Sequence, residues 1–195
     1  MAEEYVGRKF TTQFAHSPVN YDQSLLEKLV RFSHELFSQG LTFGAAGNIS
    51  ARSGDGFLIK RGGVSFGDVS ASDFVFVSRF DFDGNTAYVD GSLEPSSESP
   101  THALVYERFP TVGAVVHLHD EVVLKSPQKA IALGAIETGE VADYGTLKLA
   151  LGVAAALEQS SYVLIRNHGI ITVGGDLDEA VEKAFFYHRN MAGSV

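Results

Sequence analysis

The 195 residues contain no cysteine. That excludes a disulfide scaffold, a thiolate zinc site and a cysteine nucleophile together, and it fits a reducing compartment. Positive charge is scarce. Fifteen Lys and Arg face 24 Asp and Glu, for a net charge of −9. This balance argues against nucleic acid or an anionic membrane surface as partner. Long apolar runs are missing too. The longest, Leu149 to Leu157, is far short of the roughly 20 residues that span a bilayer. The opening Met1-Ala2-Glu3-Glu4 has neither the basic nor the apolar region of a signal peptide. The expectation is a cytoplasmic protein. No low-complexity stretch, linker or repeat divides the chain.

What remains is a globular composition, 45% hydrophobic and 20% charged, long enough to bury a full core as one domain over residues 1–195. Residues 1–20 are weakly patterned and read as an extended arm. Asp22 caps a helix to about Gln39, with Leu25, Leu26, Leu29, Val30 and Phe37 on one side and Gly40 past its end. Asn48–Arg52 and Phe57–Lys60 read as strands around the turn Ser53-Gly54-Asp55-Gly56. Phe74–Val77 and Ala87–Val89 are further strands. Ser99 is read as the cap, and Pro100 as the first residue, of a helix that ends before Pro110. Val112–His119 is a strand. Residues 121–144 give no clear pattern. A helix from Thr146 to about Glu158, strands at Tyr162–Ile165 and Ile170–Val173, and a helix from Asp176 or Asp178 to about Met191 complete the chain. Strands interspersed with helices predict an α/β three-layer sandwich. The short loops between strands predict a mixed or mostly antiparallel central sheet.

Four groups of residues carry chemistry. His117-Leu118-His119 puts two imidazoles on one face of a strand, an arrangement suited to a divalent metal. Alone, such a pair is often plain surface, but these follow the core strand Ala114-Val115-Val116. Asn167-His168-Gly169 ends a second apolar strand in the same way. A lone His there would be a buried side chain bonded to a backbone carbonyl. Beside the first pair it reads as a third ligand. Ser96-Ser97-Glu98 precedes a helix, where free N–H groups favour an anion. Taken alone it reads as an extended capping box, and Glu98 is open as a fourth ligand or a general base. Gly44-Ala45-Ala46-Gly47-Asn48 and Gly62-Gly63 are small-residue loops at strand ends, able to aim N–H groups at a phosphate or to be ordinary turns. His16, His34 and His188 read as surface or filler residues, His102 as core or a neighbour of the site, and Asp120 as a cap for whatever follows it.

In order and spacing these motifs resemble the class II aldolase/adducin family. The matching stretches are Gly44–Ser50, Leu58–Val64, Pro95–Glu98, Val115–His119 and Asn167–Gly169. The resemblance covers roughly residues 22–191. It implies a three-layer α/β/α fold and a divalent metal, usually zinc, on His117, His119 and His168, with Glu98 as ligand and acid/base. It also implies a phosphate site from Gly47, Asn48, Gly62, Gly63, Ser96 and Ser97, and a homo-oligomer, typically a tetramer with the active site at the subunit interface.

The implied reaction is a metal-dependent, aldolase-type lyase acting on a small phosphorylated ketose through a metal-stabilised enediolate. Within the family a dehydratase or epimerase shares that core. The alternatives of another class are a non-catalytic adducin-like interaction domain, against which all four ligand residues argue, and a zinc hydrolase, which leaves Asn48 and Ser96-Ser97 unexplained. Three departures stand out. Gly62 replaces a usual Ser or Thr, with Lys60-Arg61 expected to compensate by charge. The span between His119 and His168, which supplies the family's proton-transfer residue, reads as shortened. Only 27 residues follow His168, so the family's catalytic tyrosine tail is not expected, and Tyr187 comes too early to replace it.

Overall fold

A computed structural model describes residues 7–15 and 22–192. His16 and most of the expected arm lie outside them. The elements in chain order are β1 (Thr11–Ala15), α1 (Gln23–Ser38), β2 (Asn48–Ser53), β3 (Gly56–Lys60), β4 (Phe74–Asp81), β5 (Thr86–Asp90), α2 (Ser99–Arg108), β6 (Ala114–Leu118), α3 (Glu121–Leu124), α4 (Pro127–Ala132), β7 (Ile136–Glu137), α5 (Leu147–Leu157), β8 (Tyr162–Ile165), β9 (Gly169–Gly174) and α6 (Leu177–Ala192). The described strands form one sheet in the order β1-β5-β4-β3-β2-β6-β9-β8-β7. Only the edge pairs β1–β5 and β7–β8 are parallel. The sheet is therefore mixed and mostly antiparallel, as predicted. The part of the arm that is described, Thr11–Ala15, is an edge strand.

Alternation along the strands divides the core into two layers. In β6, Ala114, Val116 and Leu118 pack with α1 and α6 through Leu26, Leu29, Leu36, Val181 and Phe185. Val115 faces the other way, toward α2 and α5 through Val105, Leu149 and Val153. Each of the Val, Leu and Phe side chains among these contributes about 1.5–3 kcal/mol on burial. Helices thus cover both faces of the sheet, which makes the predicted three layers. Among the described residues no helix is long and apolar enough to cross a membrane.

Several local expectations shift. In α1 the buried stripe runs through Leu26, Leu29, Phe32, Ser33 and Leu36, while Phe37 is largely exposed and its ring lies over Gly67. Asp22 is the α1 cap, accepting from the Ser24 N–H, and Asp176 accepts from the Glu179 N–H at the start of α6. The cap of α2 is Glu98 rather than Ser99, so Pro100 is the second helical residue. The Glu98 side chain makes no capping bond; it is turned toward the histidines.

Candidate active site

Antiparallel pairing brings five chain segments to one end of the sheet. Asn48 at the start of β2 lies opposite His117 near the end of β6. Leu118 lies opposite Ile170 on β9, which places the β8–β9 turn with Asn167 and His168 beside His119. The end of β3 and the start of α2 complete the rim. Two glycines allow this approach. Gly47 has φ +77°, and a Cβ there would sit 2.5 Å from the His117 carbonyl oxygen. At Gly169 a Cβ would meet the Leu118 carbonyl at 2.6 Å and His117 Cε1 at 2.7 Å. No larger residue fits either position without moving the strands or the imidazole.

His117 and His119 do share a face. Their Nε2 atoms are 3.2 Å apart, and with His168 they form a group whose ligand atoms all lie within 4.8 Å of one another. His117 Nδ1 donates to the Ile170 carbonyl at 2.8 Å. That bond fixes the tautomer and leaves the Nε2 lone pair toward the group. The Glu98 carboxylate spans two histidines, with Oε2 3.0 Å from His117 Nε2 and Oε1 2.8 Å from His168 Nε2. Asn48 Nδ2 donates to Oε2 at 3.3 Å.

Burial pushes the Glu98 carboxyl up, but His117, His168 and His119 beside it more than offset this and hold it below the usual carboxylate range. Burial, then repulsion from His117 and His168, pulls His119 down to about 3. Burial likewise lowers His117. At neutral pH this leaves a carboxylate beside the neutral imidazoles of His117 and His119, the protonation state a divalent metal requires. Three nitrogen donors and one oxygen donor, one of them held by a backbone carbonyl, fit a zinc-type ion.

Above this group opens a cavity of about 630 Å³. Its wall includes Gly47, Asn48, Gly62, Gly63, Ser96, Ser97, Glu98, His119 and His168. All the sequence-predicted site residues therefore converge here, His117 lying just beneath. Ser96 Oγ accepts from the Glu98 N–H at 3.3 Å, so its own proton is left to donate. Of the two expected compensating cations, Arg61 lines the cavity and Lys60 does not. Lys60 is buried behind the loop, the last residue of a strand whose residues are all buried.

Asn167, from the Asn-His-Gly motif, also lines the wall, as do Arg8, Phe43, Leu93 and Tyr144, for which the sequence offers no signal. In that turn Asn167 adopts a left-handed φ of 61°, a conformation that Asn tolerates. The other histidines among the described residues take structural roles. His102 is fully buried with Nδ1 2.7 Å from Ser50 Oγ. His34 Nε2 lies 2.9 Å from the Val69 carbonyl. His188 Nδ1 lies 2.8 Å from Asp120, which caps α3 as expected.

Residues 27–192 match the family model of the class II aldolase and adducin N-terminal domain. The chain belongs to that family. It is 34% identical over 169 residues to the L-fuculose phosphate aldolase of Haemophilus influenzae, covering 80% of this chain and 76% of that one. It is 33% identical over 173 residues to the 5-methylthioribulose-1-phosphate/5-deoxyribulose-1-phosphate aldolase of Rhodospirillum rubrum, covering 83% and 76%. Among solved structures, an L-fuculose 1-phosphate aldolase superposes with a TM-score of 0.72 at 26% identity over 88% of this chain and 86% of that one. A sugar-phosphate aldolase from Thermotoga maritima, at 20% identity and a TM-score of 0.74 over 87% and 93%, shares the fold.

Proposed function

We propose that this protein is a metal-dependent aldolase-type lyase that cleaves or forms a C–C bond in a small phosphorylated ketose. The observation that carries the reading is the juxtaposition of the Glu98–His117–His119–His168 group with a wall of Gly62, Gly63, Ser96 and Ser97 in one cavity. The relatives named for aldolase activity on sugar phosphates support it. His117, His119, His168 and Glu98 would hold the metal, here taken as zinc. When bound, such an ion supplies a Lewis acid that stabilises negative charge on substrate oxygens.

The chain's own groups do the rest. Glu98 is the acid/base: in cleavage its carboxylate takes up, directly or through water, the proton leaving the hydroxyl of the carbon that becomes the aldehyde and returns it to the substrate carbon left carbanionic, and in the reverse direction it removes that carbon's proton. Held below the usual carboxylate range, it stays ionised and ready to accept. Asn48 orients its Oε2. The Ser96 and Ser97 hydroxyls and the N–H groups of Gly47, Gly62 and Gly63 bind the phosphate. The proposed assembly is a homotetramer whose neighbouring copy covers the exposed Phe43 and Leu93 at the cavity mouth. The proposed compartment is the cytoplasm, since a charged phosphate ester does not cross apolar lipid unaided.

The test is a panel of ketose phosphates incubated with zinc-loaded protein and read for both aldehyde release and water loss. Aldehyde release supports the reading. Loss of water without aldehyde replaces it with a dehydratase, and inertness toward every ester while metal is bound overturns it.

A further inference from the structure

His102 does more than fill the core. It stands one helical turn after Glu98 in α2 and is fully buried. Its Nδ1 lies 2.7 Å from Ser50 Oγ, and Ser50 Oγ lies 2.8 Å from Tyr106 Oη. Burial pulls the His102 ring down to about 3, with Glu98 raising it and His117 lowering it. The imidazole is therefore neutral at neutral pH and carries one N–H. Which nitrogen carries it follows from counting protons. The Tyr106 and Ser50 hydroxyls have one proton each, and neither has a further acceptor among the described residues. Both protons are spent in only one arrangement: Tyr106 donates to Ser50, and Ser50 donates to His102 Nδ1. The His102 proton then sits on Nε2. That atom is buried without a partner, and so is Oδ1 of Asn48. One is a donor and the other an acceptor. Asn48 and Ser50 alternate along β2 and share a face, so the ring held at Ser50 lies along the row that Asn48 begins.

We infer that His102 is a positioning residue for the acid/base: its Nε2–H fixes the orientation of the Asn48 amide, and through it the hydrogen bond that orients Glu98. Facing a donor, Asn48 presents its carbonyl to His102, directly or through one buried water, and its NH2 to Glu98 Oε2. A flipped amide would set N–H against N–H and aim a carbonyl at a carboxylate. The inference rests on Glu98 being the acid/base, as proposed above. His102 does not line the cavity, so its influence falls on kcat and not on KM.

The test pairs two replacements in zinc-loaded full-length protein. His102→Gln keeps an acceptor for Ser50 and an amide donor for Asn48, and His102→Leu keeps neither. His102→Leu is expected to lower kcat on a phosphorylated ketose about tenfold or more, the scale of one hydrogen bond to a charged group. KM and metal content should stay near the wild-type values, and His102→Gln should recover most of the loss. A residue that only fills space is replaced better by Leu than by a polar amide, so a Leu variant at or above the Gln variant in kcat overturns the inference. NMR of isotope-labelled histidine reads the tautomer independently of activity. A proton on Nε2 supports the inference and one on Nδ1 overturns it. The Asn48 side-chain amide signal should hold its position in His102→Gln and move in His102→Leu; an unmoved signal in the Leu variant also overturns it. Should His102→Leu fail to fold, the wild-type tautomer decides. If wild-type protein splits no ketose phosphate, the proposed reaction fails, and the tautomer and the Asn48 signal still decide whether His102 sets the amide.

Discussion

At the histidine end of the cavity the donors stand on or beside regular elements: His117 within β6, His119 just past it, Glu98 at the start of α2 and His168 one residue before β9. At the other end most of the wall is loop: Gly47, Gly62, Gly63, Ser96 and Ser97. The histidine end is already engaged with itself through Glu98, Asn48 and the Ile170 carbonyl. The loop end keeps the Gly62 and Gly63 amides unspent. A metal needs donors fixed to within fractions of an ångström, and strands supply that. An anion accepts many donor arrangements, so loops suffice there. Substitutions should therefore act steeply at the first end and gradually at the second.

The comparison breaks hardest with His117→Ala combined with His119→Ala. Metal content, measured by elemental analysis, should drop from about one ion per chain to near zero, with activity at background. Unchanged metal would dissolve the distinction altogether. Glu98→Gln comes next. It should keep the fold and most of the metal and lose roughly 10²–10⁴ in the chemical step, read by solvent-proton exchange into substrate. Exchange at the wild-type rate would reduce Glu98 to a ligand.

Gly169→Ala tests whether strand geometry sets metal affinity. The new Cβ displaces the His117 imidazole or parts β6 from β9, and chelator competition should show an affinity loss of about 10–100-fold. The smallest effects belong to the loop end. Ser96→Ala should weaken phosphorylated ligands by about 1.5 kcal/mol and leave free sugars alone. Gly62→Ser should tighten the same ligands a few-fold. If these loop changes cost as much as the Gly169 change, the two ends are not built differently.

The histidine end was also the more legible in sequence. Alternation along Val115, Val116, His117, Leu118 and His119 fixes which side chains share a face, and strand periodicity survives without any tertiary knowledge. The cap of α2 was misplaced because Ser99-Pro100 carries the usual start signal. Glu98 takes the cap position by backbone alone and spends its side chain elsewhere. Thr11–Ala15 gave no strand signal, since four of its five residues are exposed and no buried face imposes alternation. Tyr144 follows two helices of four and six residues and a two-residue strand, all too short to show a period. Lys60 looked like a cation for the ligand because charge in a sequence carries no burial. Only pairing on both sides of β3 reveals that the strand lies inside the sheet.

The β2–β6 pairing has a kinetic meaning as well. Asn48 and Glu98, in bonding contact, are 50 positions apart along the chain, and Glu98 and His168 are 70 apart. Contacts of such span must wait for large loops to close, and chains dominated by them fold in milliseconds to seconds rather than microseconds. During synthesis the fourth donor, His168, leaves the ribosome long after the other three. The proposed metal site is therefore completed only late in folding. A chain cut short before His168 would keep the six neighbouring strands from β1 to β6 but lose β9, which joins them to β8 and β7, and with it one of the four proposed ligands.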